Sequence, residues 1–438
     1  MRRTDPESTI EPAFAESLLS YVRLTGKSME ERMQPCHAWI ERRRELGIYP
    51  YGKVLMDRVG HTADVGDEFC EQRAVRINFG SQDYLALAQD PSLRDAARAV
   101  LDEFGVHSAG SPVLCGRTRL LVELEQKISR ILGQQACLIY ATAWGAGFGM
   151  LAGLVRGEDV ILMDALSHNC LHEGARHATP NVCKFAHNDL ADLESLLREE
   201  RTQRPNTGIF IVLESLYSMD SDAPELVAVL RLAREWEAIV ILDVAHDFGA
   251  MGERGLGLLE TTTELQPDVI MGSFSKTFAA NGGFVACSRA VRDYLCNHSS
   301  PYVFSNAISP LQTAVVSRAF DIVFSEDGQR RRAALRMNTV ALRAALRKQG
   351  IEVTGVPSPI VPAFVGDEKI ARLTSKHLLH NGLLANLVEF PAVPAGKARF
   401  RFQVMANHES AAIEKAAAIM AQSKAQAETE WATISNGA

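Results

Sequence analysis

The stretch "SFSKTFAANGGF", residues 273–284, follows the apolar run "DVIM" and sets one amine, Lys276, among hydroxyls, with the glycine pair Gly282–Gly283 beyond it. A short apolar run that breaks into polar and glycine residues reads as a buried strand delivering side chains at its exit. The theme recurs upstream in "ACLIYATA", "DVILMDA", "GIFIVLES" and "AIVILDVA", and downstream in "GFVACS". Helical stretches such as "DLADLESLLREER" and "PELVAVLRLAREWE" lie between the runs, each opening near Asp or Pro. Strands apolar throughout and alternating with helices predict an α/β protein whose mostly parallel sheet is covered on both faces.

Outward from this body, residues 1–75 read as an N-terminal helical arm, with apolar and charged positions at helical spacing from Ser8 to about Arg44 and an irregular stretch from Gly47 to Asp67. The run "AVRINFGS" is expected to open a large domain over 76–310. A smaller C-terminal α/β domain follows over 311–423, with strand candidates "GIEVTG", "IVPAFVG" and "ARFRFQVM", and residues 424–438 read as a frayed tail.

At 438 residues, 47% hydrophobic and 23% charged, the chain has the composition of a globular protein with ample core. A net charge of -7 with no basic stripe argues against nucleic acid as a partner, and the run Gln329–Arg336 reads as a helix face. Eight cysteines without a CxxC pair fit reduced, buried thiols, no secretory signal is visible, and no stretch of 18 apolar residues occurs. The expectation is a cytoplasmic protein with no stable membrane insertion.

Parallel α/β sheets bind ligands beyond the carboxyl ends of their strands. The polar residues at those exits are Thr142 to Gly145, Asp164 to His168, Glu214 to Ser218, Asp243 to His246 and Ser273 to Lys276. An acid, an imidazole three residues on, and a lysine at the next exit suit pyridoxal phosphate. That cofactor needs a lysine for its aldehyde, a carboxylate to keep its ring nitrogen protonated, a flat group against the ring, and amide or hydroxyl donors for its phosphate.

The motifs "FGSQDYLAL", "GVHSAGSPVLCGRT", "DALSHNCLHEG", "HNDLADLE", "ESLYSMDSDAPE", "DVAHDFGAMGERG", "GSFSKTFAANGGF", "PYVFSNAISP" and "RFRFQVMANHE" occur in the order seen in the α-oxoamine synthases. The chain resembles that family from Asn78 to Ile419, most closely its serine palmitoyltransferase and 8-amino-7-oxononanoate synthase branches. The resemblance implies fold type I of the pyridoxal phosphate enzymes, with a large domain, a smaller C-terminal domain and active sites shared across a homodimer.

It also implies roles. Lys276 matches the cofactor lysine, Asp243 the carboxylate at the ring nitrogen, His246 the residue near the phenolic oxygen, and His168 the imidazole stacked on the ring. Ala143 and Trp144 match a pair at a helix start whose N–H groups face phosphate. Ser218, Ser273 and Ser275 join the cofactor-binding set, and Ser305 matches a hydroxyl that reaches the phosphate of the neighbouring subunit. Arg401 matches the arginine that grips the amino-acid carboxylate. The implied reaction is a decarboxylative Claisen condensation of an amino acid with an acyl thioester, carried by coenzyme A or a carrier protein, giving an α-amino ketone. An aminotransferase or lyase on the same fold would share Lys276 and Asp243.

Other readings are weaker. His168, Cys170, His172 and His177 have no recognisable fourth partner for a metal, and none is expected. The loop "GAGFG" does not complete a dinucleotide-binding motif. Departures from the family pattern are Pro112, Leu121, Ala143 with Trp144, and Asp247 where a small hydroxyl is usual. Asp247 would either bias the substrate pocket towards a polar or cationic partner or pair with a nearby base.

Overall fold

The computed structural model describes residues 11–67, 70–262 and 264–437, so residues 1–10, 68 and 69 of the expected arm and the last residue of the expected tail lie outside the described residues. The chain divides into two compact units, one formed by Gln82–Arg336 and the other by the segments up to Ser81 and from Met337 onward.

The unit Gln82–Arg336 is built on a seven-stranded sheet. In spatial order its strands are Ala136–Tyr140, Gly283–Cys287, Val269–Ser273, Ile239–Asp243, Ile209–Glu214, Val160–Asp164 and Val182–Phe185. The five from Val269–Ser273 to Val182–Phe185 pair in parallel. Gly283–Cys287 runs antiparallel to both of its neighbours. The sequence theme groups "GFVACS" with the parallel strands, but the nine residues 274–282 hold no helix. A parallel return needs a crossover of about a dozen residues or more, so this connection can only reverse the chain.

On one face of the sheet, Leu138, Ile161, Met163, Val212, Ile241 and Met271 bury against Met150 and Leu151 of the helix Ala143–Leu154 and Leu171 and Ala175 of the helix Asn169–Ala178. Each such side chain contributes about 1.5–3 kcal/mol of burial. A second cluster is aromatic. Phe278 lies flat on Phe320 at 4.2 Å, and Phe248, Phe274 and Phe284 close around them. Phe274 and Phe278 are fully buried on either side of Lys276, so the turn that carries the lysine is anchored at both ends.

The other unit joins chain segments about 300 residues apart. Strands Lys53–Leu55, Thr62–Asp67 and Cys70–Asn78 form an antiparallel ribbon that Leu383–Leu384 extends in parallel. The stretch read as irregular therefore holds two strands, and "AVRINFGS" belongs to this unit rather than to the large domain. Ile360–Gly366, Ala398–Gln403 and Asn386–Val388 make a second, antiparallel sheet. "GIEVTG" contributes only the bridge of Val353 to Ala363.

The expected domain boundary after 310 also moves. The helix Pro310–Val323 packs on Pro91–Phe104 and Arg119–Leu132, and the division falls inside the helix Glu326–Lys348. The expected tail is helical, being the end of Ser410–Gly437. Ala427 is buried, Trp431 packs on Phe14 with ring centroids 5.4 Å apart, and Glu430 accepts from Lys376 Nζ at 2.7 Å and pairs with His377 Nε2 at 2.7 Å. Those contacts outweigh the fraying expected of a chain end.

Candidate active site

Asp164, Glu214, Asp243 and Ser273 each end a strand of the seven-stranded sheet, so the chain delivers them to one rim. Glu214 and Asp243 are register neighbours on parallel strands and are both buried. Side chains in register share a face, so two carboxyls meet in a dry site. Burial pushes the Asp243 carboxyl above its usual range, while the charge of Lys276 favours its anion, and Ala245 N–H donates to its Oδ1 at 2.9 Å. Burial and the charge of Asp243 push the Glu214 carboxyl well above its usual range. The sequence places Glu214 at a strand exit but gives no sign that it faces Asp243.

His168 caps the helix Asn169–Ala178, its ring Nδ1 accepting the N–H of Cys170 at 3.2 Å, and its own main-chain N–H donates to Glu214. His246 is buried, with Nδ1 2.9 Å from the hydroxyl of the fully buried Tyr84. Tyr84 is a residue that sequence reasoning missed. It stands 162 positions away, and only its place in "FGSQDYLAL" could have flagged it.

Ser273 and Ser275 exchange a hydroxyl hydrogen bond of 2.7 Å just before the partly buried Lys276. The helix Ala143–Leu154 begins at Ala143, with Thr142 Oγ1 accepting the N–H of Gly145 at 2.9 Å. The strand after the lysine turn presses on that helix start, because a Cβ at Gly283 would lie 2.5 Å from Ala143 Cα, and Gly282 has φ +110°. The glycine pair is what lets the lysine turn and the helix N-terminus adjoin. Trp144 is 47% exposed and lies parallel on Phe148 at 5.1 Å. Ser218 is half-buried, and Ser305 lies on the exposed turn 304–306 beside Phe304.

Arg401 belongs to the other unit, on the central strand Ala398–Gln403, between Pro362 and Asn386. Its neighbour in the alternating pattern, Arg399, is buried with its guanidinium 4.2 Å from the Phe364 ring centroid.

Asp247 takes neither role open to it in the sequence. It is fully buried, accepts from Ser215 Oγ at 2.5 Å and from Leu258 N–H at 2.7 Å, and packs so tightly that a Cβ on Gly257 would lie 2.3 Å from its Oδ2. Burial raises its carboxyl to about 6 against those hydrogen bonds. The extra acid anchors the loop 247–258.

Next to the rim, His187 bridges Asp164 (Nδ1 to Oδ1, 2.9 Å) and Asp222 (Nε2 to Oδ2, 2.9 Å), with Tyr217 edge-on at 4.5 Å. Burial disfavours the cation, but the two carboxylates prevail and raise His187 to about 10. The folded state therefore holds a proton that the unfolded chain gives up near 6.5. This stabilisation is complete below pH 6.5 and declines as pH rises through about 10. Urea midpoints should fall across that window in the wild type and show a shallower slope in His187→Gln. Parallel curves would remove the charged bridge from the account.

Among the described residues, no group of three or more His, Cys, Asp or Glu side chains is arranged to hold a metal, and no helix is long and apolar enough to cross a membrane.

The donor set fits pyridoxal phosphate. A buried acid faces an amine, an imidazole is fixed beyond the strand Val160–Asp164, and a helix N-terminus with adjacent hydroxyls is available for a phosphate. The chain belongs to the aminotransferase class I and II family, whose model matches residues 74–420. Within that family its relatives place it with the α-oxoamine synthases.

The 8-amino-7-oxononanoate synthase of Geobacter sulfurreducens is 33% identical over 384 residues, covering 87% of this chain and 96% of the relative. The serine palmitoyltransferase of Sphingobacterium spiritivorum is 33% identical over 394 residues, covering 89% and 96%. The solved serine palmitoyltransferase of Sphingomonas wittichii is 26% identical, with a TM-score of 0.83 over 92% of this chain and 100% of that one. The fold is that of the fold type I pyridoxal phosphate enzymes.

Proposed function

We propose that the protein condenses an amino acid with an acyl thioester, with loss of carbon dioxide, to give an α-amino ketone, using pyridoxal phosphate. The observation that carries this is the convergence of the buried Asp243 with Lys276 and His168 at one rim beside the helix start at Ala143. The relatives named above support the reaction class.

When bound, the cofactor supplies an electron-accepting ring that stabilises negative charge at the amino acid's α-carbon. The side chains do the rest. Asp243 holds a proton at the ring nitrogen, His246 sits at the phenolic oxygen, and His168 lies against the ring. The N–H groups of Ala143 and Trp144, with the hydroxyls of Ser218, Ser273 and Ser275, hold the phosphate. Lys276 Nζ anchors the cofactor and then takes the α-proton as general base. Arg401 grips the substrate carboxylate, which suits a planar two-pronged donor. Ser305 serves the phosphate of a second copy, so the working unit is a homodimer with shared sites.

The test pairs two readouts on the purified holoenzyme. A panel of amino acids is screened for changes in cofactor absorbance, and thiol and carbon dioxide release are followed with acyl-coenzyme A or an acyl carrier protein. Equimolar thiol and carbon dioxide, formed only when both substrates are present, is the expected result. Amino-group transfer to a 2-oxo acid with the thioester untouched would replace this reading by an aminotransferase.

A further inference from the structure

Cys170 occupies an unusual place for a thiol. It is fully buried at the start of the helix Asn169–Ala178, with Sγ 3.0 Å from His168 Nδ1. Its main-chain N–H points at the same ring nitrogen from 3.2 Å.

Two arrangements could explain a sulfur so close to an imidazole nitrogen. In one, a thiolate accepts from a protonated Nδ1, as in a nucleophilic cysteine–histidine pair. In the other, the thiol donates to an unprotonated Nδ1. The main-chain amide decides between them. An N–H hydrogen cannot be removed, and a second hydrogen on Nδ1 would oppose it across 3.2 Å. Nδ1 is therefore an acceptor, and the proton of the neutral ring sits on Nε2. Burial, with the charges of Asp243 and Glu214, pushes the Cys170 thiol up and keeps it S–H. Close packing holds the sulfur in place, since a Cβ at Gly147 would lie 2.6 Å from Cys170 Sγ.

We propose that Cys170 is a positioning residue that, through its amide and its thiol, locks His168 as a neutral imidazole protonated on Nε2. His168 then meets the cofactor ring and the substrate carboxylate as a neutral donor with one defined tautomer. Two donors on Nδ1 and the bond from His168 N–H to Glu214 hold the residue from both sides. The mechanistic consequence rests on His168 lying at the cofactor, as proposed above, whereas the tautomer is a property of the chain alone.

The experiment is nitrogen NMR of histidine-labelled apoprotein at neutral pH, with His168 assigned by the signal missing from His168→Gln. The expected pattern is an unprotonated Nδ1 and a protonated Nε2. Cys170→Ala keeps the amide but removes one of the two donors to Nδ1, so the Nε2-protonated tautomer should stay the major form beside a measurable Nδ1-protonated minority, with kcat/KM of the holoenzyme lower by roughly two- to tenfold, the worth of one neutral hydrogen bond. Cys170→Ser restores a donor and should recover both readouts. If Cys170→Ala does not fold, Gly147→Ala displaces the sulfur and should give the same mixture. A proton on Nδ1 in the wild-type apoprotein would overturn the proposal. So would an unchanged tautomer ratio, or an unchanged kcat/KM, after the thiol is removed or displaced. Loss of the condensation reaction alone, with the tautomer as expected, would count against the proposed function and leave the lock standing.

Discussion

Lys276→Ala should reduce product formation by about 10³-fold or more and abolish the borohydride-reducible, visible absorbance of the lysine-bound cofactor. Two roles are lost at once. The amine that anchors the aldehyde is gone, and so is the base that takes the α-proton, and no other amine lies on this turn. The fold should survive, because Lys276 is only partly buried and the turn is held by Phe274 and Phe278 rather than by the lysine. Circular dichroism unchanged from wild type, with absorbance and turnover both gone, is the predicted combination. An intact visible adduct that borohydride still traps, with full turnover, would show that the cofactor is bonded elsewhere.

The largest expected loss of stability lies far from that lysine in sequence. In the unit containing both chain ends, Arg43 and Arg372 are buried around Glu389, with side-chain exposures of 1%, 3% and 5%. Arg372 Nε donates to Glu389 Oε2 at 2.7 Å, and Arg43 Nη1 lies 3.6 Å from Oε1. The two guanidiniums also bind the carbonyls of Ala13, Phe14 and Glu16, so they hold the N-terminal segment to this unit. Burial, then repulsion from Arg372, lowers Arg43 to about 10, and Glu389 is the acid that offsets both cations.

Glu389→Gln keeps the volume but leaves two buried cations without a counter-charge. Removing one partner of a buried ion cluster costs about 3–5 kcal/mol. The unfolding midpoint should drop sharply, and Arg43→Met in the same chain should recover part of the loss by removing one of the two cations. A midpoint for Glu389→Gln equal to wild type, or no recovery in the double variant, would show that the cluster is solvated rather than dry.

These two sites differ in how far the sequence exposed them. Lys276, Asp243 and His168 could be found because each follows an apolar run that must be a buried strand, and a parallel sheet sends all its strand ends to one rim. Their order along the chain is enough to bring them together, and the motifs around them name the chemistry. Asp247 was visible as a departure, but its meaning was not, since a buried carboxylate bonded to Ser215 and Leu258 has the same local sequence as one facing a substrate.

From the sequence alone came the α/β class, the rim of polar strand exits and the cofactor they suit, because strand periodicity and turn chemistry are local properties. Only the tertiary structure decided that Glu214 faces Asp243, that Tyr84 meets His246, that Cys170 reaches His168 Nδ1, and that the two ends of the chain share one unit. Those outcomes depend on strand register, helix approach and contacts between residues as many as 358 positions apart, and no local pattern encodes them.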